Sequence, residues 1–303
     1  MNKKYLTLKS TLDNAIEAYK VNKLKEAENF FMLILEKNPN HLESIFYLGM
    51  IALKNREFDK AKSFSQKAIK INPTFAEAYH NLGQSLKELG ENKKAIDSYK
   101  KAIKIKPNLL ASYNNLGNIF KENGENKKAV VYFLNAIKIN PKAFEAYNNL
   151  GIAYKLLKDY RRAIECFENA IKINTKFYMA YYNLGKMYKE LQKYEDAIKY
   201  LKIANTKRAK AEVLESIYLS SNLKDYLNTL KDFSLVDGLN LRIATIASYV
   251  SKKENIKNDY PFCRNPLDYI LVKNIKKEIK ESAAFSINLS KVLESSNFIW
   301  QPV

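Results

Sequence analysis

Four asparagines recur at a single spacing: Asn81, Asn115, Asn149 and Asn183, each 34 residues after the last. A side-chain amide both donates and accepts hydrogen bonds. A row of amides can therefore pair with the C=O and N–H groups of an extended peptide, holding its backbone without reading its sequence. Asp13 and Tyr47 stand at the two preceding steps of 34, so the row should not extend there. His80, Asn114, Asn148 and Tyr182 come one residue earlier in each step. Six residues after each asparagine come Lys87, Lys121, Lys155 and Lys189. Glu88, Glu122 and Glu190 follow those lysines, with Leu156 breaking the series. Lysine beside glutamate softens the field, so these rows do not make a simple anion trough. All twelve residues of the asparagine, preceding and lysine rows are candidate peptide-binding residues. The competing reading is that such polar rows only make soluble helices.

Other chemistry is poorly supplied. A non-haem iron site needs two histidines and a carboxylate with open positions. His41 and His80 are the only histidines. His41-Leu42-Glu43 mimics half of that motif, and His80 nominally completes it. His41, however, ends a loop after Pro39, Glu43 enters a helix, and His80 belongs to a later segment. Cys166 and Cys263 give neither a disulfide framework nor zinc spacing. No Walker loop, nucleophile elbow or dinucleotide fingerprint appears. The sequence thus offers no catalytic residue, no metal site and no cofactor, and the chain reads as a non-enzyme.

The elements that position the rows follow from the glycines. Gly49, Gly83, Gly117, Gly151 and Gly185 are 34 residues apart, each preceded by leucine. A fixed period of this length marks a solenoid of helix pairs, in which each unit buries its apolar face only by stacking on neighbours. Windows of 34 give six units: 8–41, 42–75, 76–109, 110–143, 144–177 and 178–211. Position 20 of each is Ala27, Ala61, Ala95, Ala129, Ala163 and Ala197. Position 27 is Ala68, Ala102, Ala136, Ala170 and Ala204, with Ile34 in the first. Position 24 is Phe31, Ser65, Tyr99, Phe133, Phe167 and Leu201. Pro39, Pro73, Pro107 and Pro141 fill position 32.

This pattern resembles the tetratricopeptide repeat over about two thirds of the chain. The resemblance implies an all-α, right-handed solenoid of six helix pairs whose first helices line a concave face. Positions 4, 7, 8 and 11 of a first helix then share a packing arc, leaving 2, 5, 6, 9, 12 and 13 toward the groove. The asparagine row is similar to that in the repeats of O-linked N-acetylglucosamine transferases, which implies peptide binding for those four asparagines. Within the third unit the first helix should run from Ala76 to Leu89. Gly83 and Ala95 should be small because the paired helices approach closely there. Gly90 and Gly124 should end first helices, and Pro107 should stop a second helix.

The formal charge is +19, and it is uneven. Residues 1–211 hold 39 Lys+Arg against 21 Asp+Glu, whereas residues 212–303 hold 12 against 11. Of the 51 basic residues 45 are lysine. Arginine is the residue of base reading and bidentate phosphate grip, so the balance argues against nucleic acid and for a protein or peptide partner, acidic ones included. Lys93–Lys94, Lys127–Lys128 and Arg161–Arg162, with Lys70, Lys104, Lys138 and Lys172, should form a solvated outer face. No signal-peptide core or run of transmembrane length is present, so the default location is the cytoplasm.

After Ala211 the repeat decays. Leu219 and Lys231 would hold positions 8 and 20 of a seventh unit. Segments 210–221, 223–233 and 239–252 read as amphipathic helices capping the stack through residue 253. Residues 254–303 read as an extended segment followed by a helix from Lys273 to Ser295. Pro261-Phe262-Cys263-Arg264-Asn265-Pro266-Leu267-Asp268 and the terminal Trp300-Gln301-Pro302 resemble the junction to an iron(II)/2-oxoglutarate oxygenase domain in bacterial tetratricopeptide-repeat proteins. That resemblance implies an alternative role, as the substrate-recruiting part of a larger modifying enzyme, an oxygenase or a glycosyltransferase.

Overall fold

The computed structural model describes residues 8–236, 240–257 and 260. Fifteen α-helices and no strand occupy them. The chain divides into two compact units, residues 1–173 and 174–303. The first unit pairs α1 (Leu8–Lys20) with α2 (Leu24–Lys37), α3 (Leu42–Lys54) with α4 (Phe58–Ile71), and α5 (Ala76–Glu88) with α6 (Asn92–Ile105). It continues with α7 (Leu110–Glu122) and α8 (Asn126–Ile139), then α9 (Phe144–Leu156) and α10 (Tyr160–Ile173). Each pair falls inside one 34-residue window.

Two turn devices set this rhythm. Every first helix of the unit closes through a residue with positive φ: Asn22, Arg56, Gly90, Gly124 and Lys158. At Gly90 the backbone N–H donates to Lys87 O at 3.0 Å, and the next N–H, of Glu91, reaches back to Leu86 O at 2.8 Å. This pairing satisfies carbonyls that the helix end leaves open. Second helices of the unit end at position 30, and in all but the third repeat, which has Lys106, an asparagine at position 31 follows. Asn72 Oδ1 accepts from the Thr74 N–H at 2.9 Å, and Asn140 Oδ1 from the Lys142 N–H at 2.9 Å. Such side-chain turns mimic a backbone turn and direct the chain into the next repeat.

The core is layered by residue size. Tyr99, Phe133 and Phe167 at position 24 are fully buried, as are the alanines at positions 20 and 27 of those repeats. A Cβ added at Gly117 would stand 2.5 Å from the Phe133 ring, which is why the glycine is needed. Where position 24 is Ser65, the same test at Gly49 gives 3.3 Å to Phe64 Cβ, a looser contact. The first helices also bury a second side. Ala78 and Ser85, Ser112 and Ile119, Ala146 and Ala153, at positions 3 and 10, are fully buried. Positions 3 and 10 thus join the expected arc, because α5 and α9 pack closely on the preceding α4 and α8 as well as on their own partners. Successive first helices (α3, α5, α7, α9) touch one another, and successive second helices approach less. A row that crowds lies on the inside of a bend, so the first helices line the inner face of this unit.

The second unit holds α11 (Tyr178–Glu190), α12 (Tyr194–Ala204), α13 (Lys207–Leu219), α14 (Leu223–Val236) and α15 (Leu241–Lys253). Here the sequence expectation needs correction. Helix α12 has 11 residues against 14 in α10. It stops at Asn205, in the left-handed region at φ 43°, and Thr206 caps α13 by accepting from the Ala209 N–H at 3.1 Å. No proline holds position 32 here, and α13 starts inside the sixth window. The residue signature fades here, while the helical register continues, restarting at Lys207, five residues before the expected 212. Ser221 and Asn255, 34 residues apart, take the positive φ of a first-helix end. Counted from Lys207, Ala209 and Ser216 are fully buried at positions 3 and 10, as are Ile243 and Val250 in α15. Leu214 stands where glycine would, and Tyr226 where alanine would, which hides the register from the sequence. The extended segment and final helix expected over 254–303 lie outside the described residues, save residues 254–257 and the buried Tyr260.

Candidate peptide-binding face

The inner face of the first unit carries three of the four asparagines, on α5, α7 and α9. Asn81 is buried, while Asn115 and Asn149 are half-buried. Asn115 Nδ2 donates to the Tyr99 hydroxyl at 3.1 Å, so the preceding repeat braces this side chain. Burial raises the Tyr99 pKa and Asn115 opposes it, which keeps the phenol neutral. Phe133 and Phe167 have no hydroxyl to offer the next asparagines. Tyrosine instead of phenylalanine at position 24 is the sequence signal for this brace. Asn81 Nδ2 has no hydrogen-bond partner, nor has the buried Oδ1 of Asn114. Both atoms are shut off from solvent beneath the face.

The residues preceding the asparagines sit in the seam between first helices. His80 Nδ1 lies 2.9 Å from Ser112 Oγ of the next repeat, and its ring packs 5.4 Å from the Tyr99 ring. Burial lowers its pKa to about 4, with Glu77 opposing, so the imidazole is neutral near pH 7. Asn148 is buried and Asn114 half-buried. The lysine row reaches across repeats. Lys87 Nζ bonds Glu122 Oε1 at 3.1 Å, a position-12 lysine meeting the position-13 glutamate one repeat on. Lys121 instead donates to the amide Oδ1 of Asn118 at 3.0 Å on its own helix. Lys155 is half-buried on α9.

In the second unit, α11 carries Asn183 with Tyr182 and Lys189. Lys189 contacts both Glu212 and Glu215 of α13, the latter at 2.8 Å. The Tyr182 hydroxyl lies 3.4 Å from Glu212 Oε1. In the restarted register Glu212 holds position 6, so a carboxylate occupies the place of the asparagine. Burial would lower the Lys189 pKa, but the two glutamates outweigh it and raise it.

Outside the face, the basic doublets divide in two. Lys60, Lys94, Lys128 and Arg162 pair with Glu57, Glu91, Glu125 and Asp159 three residues earlier. Lys93, Lys127 and Arg161 are exposed. The nominal iron residues are placed apart. His41 Nδ1 accepts from the Ser44 N–H at 3.2 Å and caps α3, while His80 is engaged with Ser112. No group of three metal-capable side chains occurs among the described residues. Cys166 is buried, and burial pushes its thiol up to about 12. No helix of the described residues is long and apolar enough to cross a membrane.

Comparison with known proteins identifies the repeat. Tetratricopeptide-repeat profiles match residues 42–75, 64–97, 83–124, 117–158, 144–177 and 166–199. The chain belongs to the tetratricopeptide-repeat family. No curated protein matches it. Among solved structures it is similar to the C-terminal part of a tetratricopeptide-repeat protein from Cytophaga hutchinsonii. That likeness has a TM-score of 0.62 at 19% identity and covers 77% of this chain and 98% of that one. PilF of Pseudomonas aeruginosa matches with a TM-score of 0.58 at 19% identity, over 69% of this chain and 97% of that one. PilW, a type IV pilus biogenesis factor, matches with a TM-score of 0.60 at 17% identity, over 68% and 97%. At these identities the likeness is one of fold.

Proposed function

We propose that this protein is an interaction scaffold that binds an extended peptide segment of a partner protein along the inner face of its first helices. The observation that carries the reading is the asparagine row on touching first helices, with Asn115 and Asn149 only half-buried and so within reach of a bound segment. The braced Asn115 keeps its Oδ1 free of the Tyr99 bond and presents it as an acceptor. A fold neighbour of 19% identity, Cut9, was crystallised in a hetero-tetramer with Hcn1, which fits a scaffold of this build. We assign the chain no catalytic step.

The test is a double substitution, Asn115→Ala with Asn149→Ala, against peptides selected on the wild-type chain from a displayed dodecapeptide library. Loss of two backbone pairings should weaken binding about tenfold or more. Unchanged affinity would remove the asparagine row from the mechanism.

A further inference from the structure

At one step of the stack a position-12 lysine meets the position-13 residue of the next first helix. Lys87 does so through Glu122. Lys121 cannot, because the residue at position 13 of the next repeat is Leu156. Lys121 is half-buried between α7 and its neighbours, has no carboxylate within bonding distance, and is held only by the Asn118 amide. Leu156 is 52% exposed, an apolar side chain where the two preceding repeats place Glu88 and Glu122. Burial lowers the Lys121 pKa, Glu122 opposes, and Lys87 adds to the lowering, so the ammonium gains from an added negative charge. The second unit shows what such a lysine takes when a carboxylate is offered: Lys189 is enclosed by Glu212 and Glu215.

We infer that Lys121 and Leu156 form a specificity subsite on the inner face, which takes a carboxylate side chain and an adjacent apolar side chain of the bound peptide. The ammonium supplies a charge-assisted hydrogen bond. The exposed leucine supplies apolar contact and leaves the lysine unpaired until the peptide arrives. The inference rests on the peptide-binding reading above and adds the chemistry of the residues read. It also makes the interruption at Leu156 a functional feature rather than drift in the repeat.

The test is Leu156→Glu, which restores the missing rung and gives Lys121 an intramolecular carboxylate. Its control is Leu156→Gln, which removes the apolar contact without adding charge. The probe is a phage-displayed library of random dodecapeptides, followed by binding of selected peptides and their Glu→Gln analogues. Wild type should enrich peptides with Asp or Glu next to an apolar residue and prefer the acidic form about tenfold. Leu156→Glu and Lys121→Met should abolish that preference while still binding through the asparagines, and Leu156→Gln should keep it. Selected peptides without acidic preference, or a preference that survives Leu156→Glu, overturn this inference and leave the peptide-binding reading standing. Selection of no peptide at all overturns both. Position 156 is exposed, so folding of the variants is checked simply by their helical circular dichroism.

Discussion

Helix pairs α7–α8 and α13–α14 are the same hairpin filled in opposite ways. In the first, Gly117 lies under Phe133 and Ala129 faces the neighbouring helix, with both small residues fully buried or nearly so. In the second, Leu214, Tyr226 and Leu230 occupy the matching positions and share one buried cluster. The turns are alike: Gly124 and Ser221 both take positive φ, and the following N–H groups reach back five residues to Phe120 O and Ile217 O. The comparison separates two things that the repeat signature merges. Turn geometry and the burial of positions 3 and 10 make the stack, whereas the glycine and alanine signature is only one way of sharing out the volume between two helices.

The largest effect expected to break the symmetry is in the regular unit. His80 has a pKa lowered to about 4 from 6.5. The unfolded chain therefore binds more protons between those values. Stability is full above pH 6.5 and falls as pH drops toward 4, by about 3 kcal/mol. His80→Gln should flatten this dependence, as measured by hydrogen exchange of α5 and α7 amides at about pH 7 and pH 4.5. An equal loss in both proteins would contradict the burial of a neutral imidazole. Second comes Lys189→Met, which takes the lysine from Glu215 and leaves Glu212 only Lys186 at 3.9 Å and the Tyr182 hydroxyl, in a largely buried place. It should cost about 2 kcal/mol, and adding Glu212→Gln with Glu215→Gln should restore most of it. Exchange rates in α11 and α13 give the readout, and a silent single variant would show that the cluster is not part of the packing.

Smaller effects sharpen the volume argument. Gly117→Ala gains about 1 kcal/mol of helix propensity but drives a Cβ into Phe133, for a net loss of about 1–2 kcal/mol. Gly49→Ala, with Ser65 opposite, should be neutral or stabilising. Equal urea midpoints for the two variants would refute the size-pairing account. The smallest change is Lys158→Gly. Lys158 sits at φ 61°, so glycine should remove strain and stabilise by about 0.5 kcal/mol, while Gly90→Ala should cost about 1 kcal/mol.

The period of 34 made the six helix pairs legible, because glycine, alanine and aromatic recur where two helices must fit together. Gly90 and Gly124 also announced their turns, but Asn22, Arg56 and Lys158 adopt the same backbone without any such signal. The restarted register was not legible, since Leu214 and Tyr226 reverse the sizes that the pattern seeks. Among candidate site residues the asparagine row was legible as spacing. Its unequal burial was not, because Asn81 and Asn115 differ through what Tyr99 and the neighbouring first helices do around them. Likewise, the lysine and glutamate rows read as neighbours along one helix, whereas Lys87 and Glu122 pair across repeats.

The most direct measurement is a hydrogen-exchange footprint of the chain with a library-selected peptide bound. The account expects protection on the first helices α5, α7 and α9, centred on Asn81, Asn115 and Asn149, with the second helices α6, α8 and α10 unchanged. Protection confined to the exposed faces of α6 and α8, around Lys93 and Lys127, would contradict the inner-face assignment.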